Sequence, residues 1–307
     1  MNIKIYAKSA YDRQQIKHRF EIGADGIELY TDSPLKDIFF YDDNFDLLPF
    51  EYLRQINIIH MPLHFHEEDF NNFGIDTLLG QNVLRALSKK VNMLQKITER
   101  NVGIVCHIER DKEYLINQPE SLAGSSILFM CNSVNNNNLW NKMIIFFQEL
   151  AKEYPNITYY IENSALETVR NPETHLEFVK EVGLKNVKLC VNICHLQITK
   201  YYKSIIFNDT DKSILEYLKS AKNNLGLIHL GSAANDKNGF GQNKGHGCDF
   251  NYNKALLRNI LEYIYTENLN IPIVLNVKED DYTQCNNYKN LREQILSIER
   301  ENGRYYG

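Results

Sequence analysis

The sequence predicts a single (β/α)8 TIM barrel that covers residues 1–307. Three observations lead to this fold class. Short apolar runs recur eight times, segments with helical periodicity lie between them, and the connections that follow the runs are longer than those that precede them. A length of 307 residues suits one large barrel, and no Pro- or Ser-rich linker divides the chain.

The eight apolar runs have the length and composition of buried strands. They are apolar throughout and do not alternate with polar residues, which is typical of parallel strands that are covered on both faces. The predicted strands are residues 2–7, 26–30, 56–60, 102–107, 157–162, 187–191, 225–230 and 271–277.

The segments between these runs have the periodicity of amphipathic helices. The clearest is residues 78–100, where Leu84, Leu87 and Val91 recur at spacings of three and four. Strands that alternate with helices in this way favour a closed parallel barrel. The other predicted helices are residues 11–22, 139–153, 172–182, 211–222, 252–266 and 289–301, with a short one near 49–55.

The connections are asymmetric in length, and this indicates where a site lies. The long ones, residues 61–77, 108–138 and 231–251, all lead from a strand to a helix. In a (β/α) barrel such loops form the face that carries the active site. A doubly wound sheet is the alternative fold, but no GxGxxG sequence follows the first strand to support a dinucleotide site.

Composition excludes some classes of protein. Lys and Arg total 34 and Asp and Glu total 39, so the net charge is −5. This excludes a strongly basic polyanion binder but leaves a local basic groove open. No run of 18 apolar residues is present, so we expect no membrane span. The charged N-terminus and the six scattered cysteines lead us to expect an intracellular protein that is not secreted, with reduced thiols.

Polar residues lie at the carboxyl ends of the apolar strands. Three strands end in histidine and one in glutamate: INIIH at His60, VGIVCH at His107, LGLIH at His229 and ITYYIE at Glu162. Because the strand ends of a barrel meet on one face, we expect these side chains to converge. Imidazoles and a carboxylate are ligands for zinc or another divalent metal. Further polar residues at strand ends are Glu28, Asn192, His195 and Asn276.

Each of these residues also has a structural interpretation. A single histidine at a strand end is more often a hydrogen-bonded core group, but three equivalent ones on one barrel favour a shared site. Glu162 is the most informative residue, since a buried carboxylate needs a cation or several donors. His64 and His66 lie in an acidic loop that favours a solvated turn, and we interpret His18 and His175 as surface or packing residues on helices.

The glycine-rich segment 231–250, GSAANDKNGFGQNKGHGCDF, directly follows the strand that carries His229. Glycine permits a close approach of the backbone to a ligand, and Lys237 and Lys244 could hold a phosphate or a sugar. A flexible surface loop is an equally good interpretation of this composition.

In the order and spacing of these segments, the chain resembles the endonuclease IV group of the xylose isomerase-like barrels. The resemblance runs from GADGIELYTD (residues 23–32) to IPIVLNV (271–277). The segments that carry it are IHMP (59–62), VGIVCH (102–107), YYIENSA (159–165), LCVNICHL (189–196), IHLGSA (228–233) and GHGCDF (245–250). The resemblance implies a xylose isomerase-like TIM barrel and a three-zinc enzyme that cuts DNA 5′ to abasic sites, as in base excision repair.

The resemblance also implies a ligand set. The first metal corresponds to His60, His107 and Glu162, which are all present. The second shares Glu162 with an aspartate, a histidine and a glutamate, and the matching residues here are Asn192, His229 and Asn276. The third takes a histidine that matches His195 and an Asp-x-His pair, for which only Asn243 or His246 stand nearby.

The two asparagines depart from the family pattern. An amide is neutral, so replacing carboxylates at Asn192 and Asn276 weakens the second and third metals, whose ligand charge offsets ion desolvation. We therefore expect zinc or another divalent metal with fewer than three ions. Glu162 is the predicted catalytic residue, and Leu63, Lys237, Asn243, Lys244 and His246 are the predicted substrate-loop residues.

Three functions remain open from the sequence. The first is an endonuclease IV-like, metal-dependent phosphodiesterase whose partner is DNA with an abasic site. The second is a sugar isomerase or epimerase, which typically uses two catalytic glutamates and one metal. The third is a non-enzymatic or weakened homologue that binds DNA or a protein partner. The net charge of −5 disfavours tight nonspecific DNA binding.

Overall fold

Eight parallel strands close into a barrel. This confirms the predicted fold class and excludes the doubly wound sheet. The structure is a computed structural model. It describes residues 3–31, 38–62, 74–108, 137–163, 173–197, 214–233, 247–251, 253–279 and 281–301.

Each strand pairs in parallel with the next along the chain, and the last pairs with the first, where Ile5 lies opposite Ile273. The barrel therefore has no free edge. The strands are β1 Ile5–Ser9, β2 Gly26–Tyr30, β3 Ile56–His60, β4 Gly103–Cys106, β5 Tyr159–Glu162, β6 Val187–Asn192, β7 Leu225–Leu230 and β8 Ile273–Leu275.

Helices surround the strands, and within the described residues the predicted helices recur to within a few residues. A short helix that the sequence did not indicate, α2, precedes α3. Asp12, Thr77 and Asn253 begin three of them, each accepting a hydrogen bond from the backbone N–H three residues later. Among the described residues, no helix is long and apolar enough to cross a membrane. The helices are α1 Arg13–Glu21, α2 Ile38–Tyr41, α3 Phe50–Leu53, α4 Leu78–Thr98, α5 Asn137–Glu153, α6 Glu173–Val182, α7 Ile214–Ala221, α8 Lys254–Thr266 and α9 Asn286–Glu301.

The first strand lies further along the chain than predicted, because a charged residue belongs to it. The apolar run ends at Ala7, which placed the predicted strand at residues 2–7. In the structure β1 continues through Lys8 to Ser9, and Lys8 lies opposite Glu28 of β2. The two side chains approach within 3.3 Å, between Nζ and Oε1, so each charge has a partner.

The strand side chains alternate between two apolar layers, as the two-residue period of a strand requires. The larger layer lies between the strands and the helices. The smaller one fills the barrel and consists of Tyr6, Ile58, Val105, Cys190, Leu227 and Val274, with Tyr160 packed against it. The residues two positions later face the same way, so they form the next inward layer toward the carboxyl ends. These residues are Lys8, His60, His107, Glu162, Asn192, His229 and Asn276.

The barrel interior leaves no room for a side chain at Gly103. A Cβ atom there would lie 2.4 Å from Cε2 of Tyr160 and 3.0 Å from the carbonyl oxygen of Thr158. Gly226 borders the same ring from the other side, since its Cβ would lie 2.9 Å from Cε1 of Tyr160. The tyrosine therefore occupies space that the glycines provide.

We expect Gly103→Ala to lower the free energy of unfolding by about 1–3 kcal/mol, because overpacking forces the Tyr160 ring or the strand to shift. Urea unfolding measures the loss. Tyr160→Leu should relieve the contact, so the double variant should lose less than the sum of the two single variants. Strictly additive losses would contradict this packing.

Candidate metal centre

The carboxylate of Glu162 lies at the centre of the inward polar layer. Glu162 ends β5 and is 2% exposed. Its Oε2 is 2.9 Å from Nε2 of His60 and 3.3 Å from Nε2 of His107. Its Oε1 is 2.9 Å from Nδ1 of His229 and accepts a 2.7 Å hydrogen bond from the side-chain amide of Asn192. Four inward side chains from four other strand ends therefore meet on one carboxylate.

His60 approaches Glu162 with the nitrogen that lacks a proton in the neutral ring. Nδ1 of His60 lies 2.8 Å from the carbonyl oxygen of Met61, to which it donates its hydrogen. Nε2 then carries a lone pair toward a carboxylate oxygen, and two acceptors in contact need a proton or a cation between them. Burial lowers the pKa of His60 and outweighs the effect of the Glu162 carboxylate, which raises it by accepting a hydrogen bond from the protonated ring, so the proton is disfavoured.

His107 lacks hydrogen-bond partners even more clearly than His60 does. It follows β4 and is 6% exposed, yet neither ring nitrogen forms a hydrogen bond within the described residues. The 3.3 Å approach of its Nε2 to Glu162 lacks hydrogen-bond geometry. Buried polar atoms without partners are uncommon in native proteins and call for a ligand or an ordered water.

These three residues fit a divalent metal. The ligand atoms of His60, His107 and Glu162 lie within 4.8 Å of one another. A tetrahedral ion with ligand distances of about 2.1 Å separates neighbouring ligand atoms by about 3.4 Å, close to the 2.9 and 3.3 Å of the Glu162 contacts. Two imidazoles and one carboxylate with an open fourth position are a known zinc ligand set.

His229 lies between two buried carboxylates. Its Nδ1 faces Glu162, and its Nε2 is 2.8 Å from Oε2 of Glu28. Burial lowers the pKa of His229, but Cys190, Glu28 and Glu162 together raise it well above its usual value. Burial likewise raises the pKa of Glu28, but the positive charges of His229 and Lys8 hold it down at about 2. Positive and negative groups therefore alternate in the series of contacts from Lys8 to Glu28, His229 and Glu162.

Asn192 acts as a hydrogen-bond donor to Glu162. Its side-chain oxygen accepts a 3.1 Å hydrogen bond from the backbone N–H of His195, so that oxygen is already in use. Its own backbone N–H donates to the side-chain oxygen of Asn163 at 2.7 Å. The amide therefore holds the carboxylate in place in this structure, at a position where the family resemblance implies a ligand.

The other predicted site residues lie further out. Nδ1 of His195 is 3.9 Å from Oε1 of Glu162 and 2.7 Å from the carbonyl oxygen of Asn163. Asn276 follows β8 and is buried, and no hydrogen bond between the described residues joins its side chain to Glu162. The predicted substrate-loop residues, like His64 and His66, lie outside the described residues: Leu63, Lys237, Asn243, Lys244 and His246.

Sequence reasoning assigned no partners to Glu28, Lys8, Asn163 and Cys190. Glu28 stood out as a strand-end carboxylate, but its contact with His229 spans 201 residues and depends on barrel closure. The sequence does not indicate that Lys8 belongs to β1 and faces Glu28, because a charged residue after an apolar run resembles the end of a strand. No disulfide joins the five cysteines of the described ranges, Cys190 among them.

No model of a known protein family matches the sequence, and no curated protein does either. The fold, however, occurs in solved structures. A xylose isomerase domain protein from Planctomyces limnophilus has a TM-score of 0.63 and 12% identity, covering 98% of this chain and 99% of its own. An L-ribulose 3-epimerase has a TM-score of 0.60 and 11% identity, covering 98% of this chain and 97% of its own. Endonuclease IV from Thermus thermophilus has a TM-score of 0.59 and 12% identity, covering 96% of this chain and 99% of its own. The chain thus shares the TIM-barrel fold of these structures.

His175 is buried, as its interpretation as a packing residue requires. It lies in the first turn of α6, is 2% exposed, and neither ring nitrogen has a hydrogen-bond partner in the described structure. Burial lowers the pKa of His175 to about 3, with a smaller contribution from His107. The neutral ring is therefore the folded form.

We expect His175→Leu to reduce the acid sensitivity of the fold. In the unfolded chain His175 gains a proton below its usual pKa of 6.5, whereas the folded chain binds that proton only near pH 3. The wild type therefore loses stability as the pH falls through this window, by about 3 kcal/mol from this residue at about pH 4.

Urea unfolding at about pH 4 and pH 8 measures the difference between the variant and the wild type. His18→Gln is the control, because His18 is partly exposed and pairs with Arg19. If His175→Leu has the same pH dependence as the wild type, the buried neutral state of His175 is wrong.

Proposed function

We propose that the chain is a metal-dependent phosphodiesterase of the endonuclease IV type, which cuts DNA at abasic sites. The observation that carries this proposal is the convergence of His60, His107 and Glu162. The lone pair of His60 and both ring nitrogens of His107 lack partners beside a buried carboxylate. Two imidazoles and a carboxylate with an open position constitute a water-activating set.

Each residue of the site would have a distinct role. His60, His107 and Glu162 would hold the ion, which lowers the pKa of a bound water and stabilises charge on a phosphate. The carbonyl oxygen of Met61 fixes the ring of His60 so that its Nε2 faces the centre. The amide of Asn192 orients Oε1 of Glu162 and so fixes the direction of Oε2.

DNA is the proposed partner. Leu63 and the glycine-rich loop, with Lys237, Asn243, Lys244 and His246, would contact the strand around the abasic site. A net charge of −5 limits nonspecific affinity for DNA, so recognition would depend on these local groups. We propose a binding mode that weakens steeply with salt, as phosphate contacts do.

A sugar epimerase is the second candidate, and the structural neighbours with epimerase names favour it. Their low identity supports the fold alone. Proton transfer at carbon in such enzymes typically uses two glutamates, and Asn276 occupies the last-strand position that would supply the second. The other inward carboxylate, Glu28, is already paired with His229 and Lys8. The geometry therefore favours hydrolysis over epimerisation.

An incision assay tests the proposal. The substrate is an oligonucleotide duplex with one tetrahydrofuran abasic analogue, and the readout is cleavage by zinc-loaded protein. We expect cleavage that a chelator abolishes and that Glu162→Gln reduces by more than about 100-fold, because the variant removes the charge that binds the ion. His18→Gln, on the surface of α1, is the matched control and should cut like the wild type.

The same preparations should be incubated with ketohexoses. Metal-dependent epimerisation without DNA cleavage would overturn the proposal in favour of the epimerase. Metal-loaded protein that does neither would overturn the proposal and leave the non-enzymatic homologue as the remaining hypothesis.

A further inference from the structure

Cys190 lies directly beneath the polar layer. It is two residues before Asn192 on β6, faces the barrel interior with Ile58 and Leu227, and is fully buried. In the strand pairing it lies opposite Glu162 of β5. Its thiol therefore lies one inward layer below Asn192, where a carboxylate of the family pattern has become an amide.

Three ligand atoms converge at this point. The sulfur of Cys190, a carboxylate oxygen of Glu162 and a ring nitrogen of His229 lie within 4.8 Å of one another. The two oxygens of Glu162 face different groups: Oε2 faces His60 and His107, whereas Oε1 faces His229. One carboxylate can thus serve two neighbouring sites.

The surroundings of His229 already orient its ring for a ligand. Its Nε2 is 2.8 Å from Glu28, a buried carboxylate whose other oxygen lies 3.3 Å from Lys8. With the Nε2 hydrogen donated to Glu28, Nδ1 is the nitrogen directed at Glu162. A carboxylate that fixes the far nitrogen of a histidine is the usual support of a metal-binding imidazole.

We propose that Cys190, His229 and Glu162 bind a second, thiophilic divalent ion such as Zn²⁺. The inference rests on the proposed function in one respect, since Glu162 is shared with the ion at His60 and His107. The thiolate supplies the negative charge that the amides of Asn192 and Asn276 lack. On binding, the thiol and Nδ1 of His229 each release one proton to solvent, and no electron is transferred.

Ligand chemistry narrows the choice of ion. A thiolate and an imidazole select zinc or cobalt over magnesium, calcium and manganese, which prefer oxygen. Burial raises the pKa of the Cys190 thiol to about 12, so the thiolate forms only when an ion replaces the proton. The competing interpretation is that Cys190 simply fills the barrel as a small apolar side chain.

Cobalt-substituted protein tests the inference. The full chain is stripped with chelator, loaded with Co²⁺ and examined for ion content and for the near-ultraviolet thiolate-to-cobalt charge-transfer band. We expect two ions per chain and the band. Cys190→Ser should lose the band and one ion, whereas Cys106→Ser should keep both, because Cys106 is buried on β4, two strands away, and faces the helices.

Wild-type protein without the band, or a band that persists in folded Cys190→Ser, would overturn the inference. Circular dichroism checks that the variant is folded. X-ray absorption of the zinc-loaded wild type gives the same answer without a variant, since a sulfur ligand lies at about 2.3 Å. Protein that shows the band and two ions but cuts no abasic DNA would retain this site and remove the proposed function. Cleavage with one ion and no band would remove this site and retain the proposed function.

Discussion

The buried carboxylate of Glu162 is the group on which the arrangement of the barrel interior depends. An ionised carboxylate in an apolar interior is costly unless charge and hydrogen bonds compensate it. His60, His107, Asn192 and His229 approach its two oxygens from four other strand ends. Despite the cost of burial, the histidines, above all the positive charge of His229, hold the pKa of Glu162 well below its usual value, so the carboxylate is charged and available to a cation.

Charge compensation continues across the barrel and links the site to its first two strands. Glu162 contacts His229, His229 contacts Glu28, and Glu28 contacts Lys8. The side of Glu162 that faces His229 is thus neutralised by groups of the protein. The side that faces His60 and His107 is not, because Nε2 of His60 carries a lone pair when Nδ1 donates to Met61, and neither ring nitrogen of His107 has a hydrogen-bond partner in the described residues. This asymmetry is the reason why the proposed first ion lies on the His60 side.

The fold and the convergence of the strand-end residues could be predicted because they depend on local periodicity. Apolar strands that end in His60, His107, Glu162 and His229 indicate one converging face whatever the exact register. The roles of Glu28, Lys8 and Cys190 could not, since they depend on barrel closure and on a two-residue alternation that a fully apolar run conceals. From the sequence, Asn192 and Asn276 have the same interpretation, an amide in place of a carboxylate ligand. Of these two side chains, only the amide of Asn192 forms a hydrogen bond with Glu162 among the described residues.

Anomalous diffraction from crystals soaked in Zn²⁺ tests the central claim most directly, because it locates the ion without relying on activity. The account predicts a peak bound by Nε2 of His60, Nε2 of His107 and Oε2 of Glu162, each at about 2.0–2.2 Å. Fully soaked crystals in which His60 still contacts Glu162 directly, with no peak between them, would contradict it.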